Sequence, residues 1–230
     1  MKIKSIKDYL PFFALMLANV VTLFVYLFAF NGRDGIKILE VCVVPLIPLI
    51  IPALNKIFKI SVPFSFNVAV TVFAFLAIDL ASVLDFYGLI PYFDKFIHTV
   101  FGIIGAFGIF ILLLYGNGEK LKPWCFFTVI LLSVLGIAAL WEIYEYFANM
   151  ITHTDMQRWL PDFNTVGDMT VKEFFATYNP LWDTIWDIVV AAIGVFIFFA
   201  GILADKFCGY KLSKSVYNQV KIKPSSQLTV

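Results

Sequence analysis

The chain has 230 residues, of which 61% are hydrophobic and 14% charged, and its mean hydropathy is +0.88. A soluble domain is only about half apolar, so water is not the main solvent of this chain. A net charge of +1 gives no electrostatic basis for nucleic acid or an acidic partner, and Cys42, Cys125 and Cys208 are too scattered to form a disulfide framework or a zinc knuckle.

A bilayer core of about 30 Å needs roughly 20 apolar residues per helix, and irregular backbone cannot face lipid. The first apolar run, from Tyr9 to Phe30, follows Lys2, Lys4 and Lys7 but has no small-x-small cleavage site, so it reads as a retained span rather than a signal peptide. The second, at about Ile38–Leu54, is interrupted by Pro45, Pro48 and Pro52, and either a bent span or a re-entrant segment fits it. Runs at about Phe64–Leu84, Phe96–Tyr115, Trp124–Phe147 and Leu181–Ala204 bring the total to six. The expected fold is all-α, a polytopic bundle over residues 1–205 followed by a basic, solvated tail over 206–230 that reads as a plain anchoring tail, with lysine contact to anionic lipid as the alternative.

Basic residues orient the bundle. The N-terminus, the 55–61 and 116–122 connectors and the tail hold twelve of the seventeen lysines and arginines, which predicts that both termini are cytoplasmic. The expected location is the plasma (inner) membrane. The long connector from about Ala148 to Asn179 then lies outside, as a lid or as an ordinary loop with a short interfacial helix near Val171–Tyr178. The two sets of three spans share neither polar residues nor Gly/Pro positions, so no inverted repeat is expected.

With this topology, four spans bring acids to one outer level. Asp79 lies a turn below the end of the third span, and Asp94 and His98 open the fourth. Glu142 and Glu145 fall in the last turns of the fifth, and Asp183 and Asp187 in the first turns of the sixth. Asp94 with His98, Glu142 with Glu145, and Asp183 with Asp187 are three or four residues apart and share helix faces. Charges facing lipid are costly, so these side chains should point inward. Local structure alone explains two of them: Asp94 as a cap of the fourth helix, and Asp183 as a complement to the dipole of a helix with Asn179 as its cap and Pro180 at its first position. It does not explain Asp187, which is too deep to cap, or Glu142 and Glu145, which lie where the helix dipole disfavours negative charge.

Six acids against Lys95 and His98 leave the group under-compensated, so either some acids carry a proton or a cation sits among them. Carboxylates with one imidazole in a helical bundle suit a divalent metal such as manganese, iron, zinc or magnesium. The site expected on these grounds has His98, Glu142, Glu145 and Asp187 as metal ligands, Asp94 and Asp183 as ligands or their supports, and Asp79 as a catalytic base. Gly102, Gly105 and Gly108 in the fourth span allow close helix packing. Trp141, Trp182 and Trp186 suit an interfacial belt or the wall of a site.

Three stretches carry a family likeness. They are Phe93-Asp94-Lys95-Phe96-Ile97-His98 with Gly102, Trp141-Glu142-Ile143-Tyr144-Glu145-Tyr146, and Trp182-Asp183-Thr184-Ile185-Trp186-Asp187 with Gly194. In that order they resemble the YjdF-like bacterial inner-membrane proteins over roughly the C-terminal half, and the Leu39-Glu40 and proline-rich second span is similar too. More distantly, D-K-x-x-H at a helix start resembles the VanZ-like glycopeptide-resistance proteins. Neither resemblance implies a substrate. The functional expectation is a metal-dependent enzyme acting on a lipid-linked or envelope substrate, with membrane lipid as its surroundings. The alternative is a cation or proton transporter that uses the same acids as a relay.

Overall fold

The computed structural model describes residues 9–58, 60–152, 170, 172–173 and 180–221. Among these the chain is helical without strands, and six helices are long and apolar enough to cross a membrane. They are α1 (Leu10–Ala29), α2 (Gly35–Ile57), α3 (Phe64–Val83), α4 (Phe93–Tyr115), α5 (Pro123–Thr152) and α6 (Pro180–Phe207), and α7 (Lys211–Lys221) follows the last of them. Large apolar side chains such as Leu17, Phe28, Leu132 and Leu140 are exposed on the outside of the bundle, as a hydrocarbon solvent allows.

The first three helices are irregular. The last turns of α1, Val25–Ala29, and of α3, Phe75–Val83, are π-helical. In α2 a 3₁₀ turn at Val44–Leu46 carries Pro45, and Pro52 lies inside the helical segment that follows. Proline removes a backbone donor and clashes with the preceding turn, so the second span bends at this point while staying long enough to cross. Asp34 caps its start by accepting a hydrogen bond from the Ile36 amide at 2.8 Å. These helices pack through Leu15, Val44 and Ala74, and further along through Tyr26, Val41 and Val83.

The second half is regular. Helices α4, α5 and α6 are uninterrupted and share a core of Ala106, Ile130, Val134 and Val195. Helices α4 and α6 touch backbone to backbone. A Cβ added at Gly102 would lie 2.1 Å from the Ala191 carbonyl oxygen, and one at Gly194 would lie 2.2 Å from that of Thr99. Of the three glycines expected to allow close packing, Gly102 is the one that meets backbone, whereas Gly105 faces Val134 and Gly108 faces Phe66. Edge-on contact of Phe66 with Phe107, at 5.3 Å, joins α3 to α4.

The segment expected to be a solvated tail contains an ordered amphipathic helix. Val216 and Val220 of α7, four residues apart on one face, bury against Ile111 and Leu114 of α4. Asp205 accepts hydrogen bonds from the Leu212 amide at 3.0 Å and the Ser213 amide at 2.8 Å, which caps the helix. At its far end Lys221 donates to Asn117 at 2.7 Å and pairs with Glu119 at 3.1 Å. The expected lid and interfacial helix of the 148–179 connector fall almost wholly outside the described residues.

Gly102→Ala and Gly194→Ala are each expected to lower stability by ~1–3 kcal/mol or more, because the new methyl meets backbone that cannot yield. Gly136→Ala in α5, where a Cβ meets nothing within 4 Å, should be neutral or stabilising by up to ~1 kcal/mol. Thermal unfolding midpoints of the three variants in detergent test this.

Candidate functional site

The group lies where α4 and α6 begin and α5 approaches its end. Lys95, in the first turn of α4, lies at the centre of it. Its ammonium donates to Asp94 Oδ2 at 3.0 Å and to Asp187 Oδ2 at 2.9 Å, and pairs with Asp187 Oδ1 at 2.8 Å. It also donates to Asp183 Oδ1. The Lys95 side chain is 21% exposed and that of Asp187 1%, so these pairs form largely out of water. Desolvation makes a lone ammonium or carboxylate there costly, and mutual pairing offsets that cost.

His98 lies one turn below Asp94. Its Nε2 is 3.7 Å from Asp94 Oδ1 and 3.8 Å from Asp187 Oδ1. These are too long for hydrogen bonds but short enough for all three groups to face one point. One ligand atom from each of Asp94, His98 and Asp187 lies within 4.8 Å of the others. The close approach of α4 and α6 through Gly102 and Gly194 sets this spacing, because a wider helix separation would draw Asp187 away from Lys95 and His98.

Glu142 and Glu145 come from α5 and are both buried. Glu145 Oε1 accepts a hydrogen bond from Trp141 Nε1 at 2.8 Å, one turn back on the same helix. Both oxygens of Glu142 are buried without a well-formed hydrogen bond. Thr184 is its polar neighbour, and Asp183, Asp94 and Lys95 lie within electrostatic reach. The two glutamates therefore border the Lys95 group without sharing the three-residue convergence point. Neither glutamate lies at the helix end expected for it, because α5 continues to Thr152, beyond the expected end at Phe147. A dipole acts mainly within the last turn, so burial, not the dipole, makes these acids costly.

Two other expectations change. The residue preceding α4 is Tyr92, in a left-handed conformation, and no side chain caps the helix. Asp94 lies inside the first turn and engages Lys95 instead. Asp183 does lie in the first turn of α6, where negative charge complements the dipole, but it too bonds Lys95. Its expected cap, Asn179, is outside the described residues. Asp79 belongs to a different neighbourhood. It is fully buried on α3 among Asn19 and Thr22 of α1, and Asn19 links it to the Val41 carbonyl of α2. No described hydrogen bond or ion pair joins it to Lys95.

Lys95 is the residue at the centre of the group whose place the sequence does not by itself make plain. It entered the charge balance as a single cation, while its place beside Asp94 and one turn from His98 was the available signal.

Family comparison matches residues 12–205 to the family described as predicted membrane protein (DUF2238). No curated protein and no solved structure matches the chain.

Removing the central ammonium leaves buried carboxylates unpaired. Lys95→Met should therefore lower stability by ~3–5 kcal/mol, toward the lower end because the lysine keeps some contact with solvent. Asp94→Asn, which leaves Asp183 and Asp187 on the lysine, should cost clearly less. Comparison of unfolding midpoints in one detergent checks the ordering.

Proposed function

As a member of the DUF2238 family of predicted membrane proteins, to which it belongs over residues 12–205, the chain is a membrane protein with six candidate spans, and we propose that the Lys95 group is its cation-binding site. In this reading Asp94, His98 and Asp187 hold one divalent cation, whether manganese, iron, zinc or magnesium, near the outer face of the bacterial inner membrane. A reaction on a lipid-linked or envelope substrate takes place there. The lysine distribution supports the outward orientation.

One observation carries the proposal: three ligand atoms from two helices converge within 4.8 Å. The donor set of two carboxylates and one imidazole suits a borderline or hard divalent ion. Three protein ligands leave positions open for water or substrate, as catalytic sites do. A bound ion supplies Lewis acidity. The chain's own groups divide the remaining work: Lys95 and Asp183 fix Asp187 in place, Glu142 accepts or releases a proton at the margin, and Trp182 and Trp186 wall the approach.

The buried Glu142 carboxyl, which lacks a well-formed hydrogen bond, favours a second reading, passage of a cation or proton. Against it stands the rest of the second half. From Thr99 to Leu114 on α4, from Pro123 to Trp141 on α5 and from Ile188 to Ala204 on α6 there is no acidic or basic side chain. A relay across these helices would have no carriers, so a site at one end fits better than a pathway.

Elemental analysis of the purified protein should find a divalent metal that His98→Ala and Asp187→Asn lose and that Glu142→Ala/Glu145→Ala largely keeps. Metal and the Lys95 ammonium neutralise the same carboxylates, so adding the metal should also raise the unfolding midpoint of Lys95→Met and not that of Lys95→Met/His98→Ala. Metal absent from the parent protein, or unchanged in His98→Ala, would sink the metal reading; cation flux in liposomes that His98→Ala abolishes would favour transport.

A further inference from the structure

The first half of the bundle contains a second polar centre, which the Lys95 site does not use. Asp79 is fully buried and Asn19 is 3% exposed, in the part of the fold where α1, α2 and α3 meet. Asn19 Nδ2 donates to the Val41 carbonyl at 2.9 Å and reaches Asp79 Oδ2 at 3.5 Å. A carbonyl only accepts hydrogen bonds, so the Val41 contact fixes which end of the Asn19 amide is nitrogen. With that orientation settled, two buried oxygens have no donor, Asp79 Oδ1 and Asn19 Oδ1.

These two oxygens are the complementary corners of an acid–amide pair. In such a pair the amide N–H donates to one carboxyl oxygen, while the other carboxyl oxygen carries a hydrogen and donates it to the amide oxygen. Asn19 Nδ2 lies 3.5 Å from Asp79 Oδ2 on the first side of such a pair, and the two oxygens of the second side are those without a donor. Two bare acceptor oxygens on neighbouring side chains in a hydrocarbon-embedded core each forfeit a hydrogen bond. A single proton satisfies both.

We propose that Asp79 and Asn19 form a proton-binding site in which Asp79 is present as the carboxylic acid and donates its Oδ1 hydrogen to Asn19 Oδ1. Thr22, one turn from Asn19 on the same face of α1, adds a hydroxyl beside the carboxyl. Several other ionisable groups of the packed elements are bonded elsewhere. The Tyr26 hydroxyl on α1 accepts from the Asp34 amide at 3.1 Å, and Glu40 on α2 accepts from Ser82 at 2.8 Å. Asp94, Lys95 and His98 on α4 belong to the other centre. Among the described residues no basic side chain is bonded to Asp79, so a proton is the charge-neutralising partner this neighbourhood provides for. Asp79 is then an acid held within the first half, not a base serving the Lys95 group. The π-helical turns of Phe75–Val83, closed at their end by the Leu84 amide donating to the Asp79 carbonyl at 3.0 Å, hold the residue in this position.

Infrared difference spectroscopy of the full-length protein in lipid tests the assignment. The parent minus Asp79→Asn spectrum should show the loss of a protonated-carboxyl carbonyl stretch that shifts in heavy water. Asn19→Leu should keep that band and move it to higher frequency, because the acid loses its acceptor. Asp79→Asn should fold with a nearly unchanged midpoint, since a carboxamide reproduces both contacts of the neutral acid. Loss of carboxylate stretches alone in Asp79→Asn overturns the proposal, as does failure of that variant to fold. A sodium-dependent rise in the parent's midpoint over choline that Asp79→Asn removes also overturns it, in favour of a sodium site.

Discussion

An ammonium group taken into a bilayer-sized helix bundle must bring its counter-charges with it, and Lys95 does so with three aspartates from the opening turns of two helices. Much of the second half follows from that requirement. Asp183 and Asp187 can reach Lys95 only if α6 runs close to α4, and close approach in turn demands Gly102 and Gly194, where backbone meets backbone. Once the helices are this near, His98 is drawn to the same point as Asp94 and Asp187. Packing and electrostatics are therefore one constraint: either the glycines or the charges could be lost only by moving the other.

The first half solves a related problem without a cation. Its buried polar groups, Asn19, Thr22, Asn67, Thr71 and Asp79, are amides, hydroxyls and one acid, and they link helices through neutral hydrogen bonds such as Asn19 to Val41. Irregular backbone accompanies them, with π-helical turns in α1 and α3 and the proline-bearing turn in α2. The two halves thus place their polar chemistry on different supports: charges on uninterrupted helices, neutral groups on interrupted ones.

The six spans were legible in the sequence because hydropathy is summed over twenty residues and tolerates local error. The convergence of Asp94, His98 and Asp187 was partly legible, since helical rise fixes depth and three- or four-residue spacing fixes the face. Lateral position was not. Asp79 lies near the end of its span, as expected, yet its neighbours are Asn19 and Val41, because nothing in a hydropathy profile tells which helices stand side by side. The role of Lys95 was hidden for the same reason, since a charge count cannot distinguish a bystander from a hub. The π-helical turns alter hydrogen-bond register without altering composition, so they leave no mark that a period count detects. Helix α7 was available: Val216 and Val220 recur at helical spacing among lysines, but a short segment rich in charge reads as solvated until a partner face on α4 is known.

The uneven distribution of backbone irregularity has a mechanical consequence. Bilayers differ in thickness, and a spanning helix answers by tilting, bending or shortening its apolar reach. The π-helical turns and the proline-bearing 3₁₀ turn are compliant points, and among the described spans they lie in α1, α2 and α3, whereas α4 and α6 are unbroken and locked at Gly102 and Gly194. Strain imposed by a thicker or thinner membrane is taken up in the first half, and the spacing of Asp94, His98 and Asp187 is insulated from lipid composition.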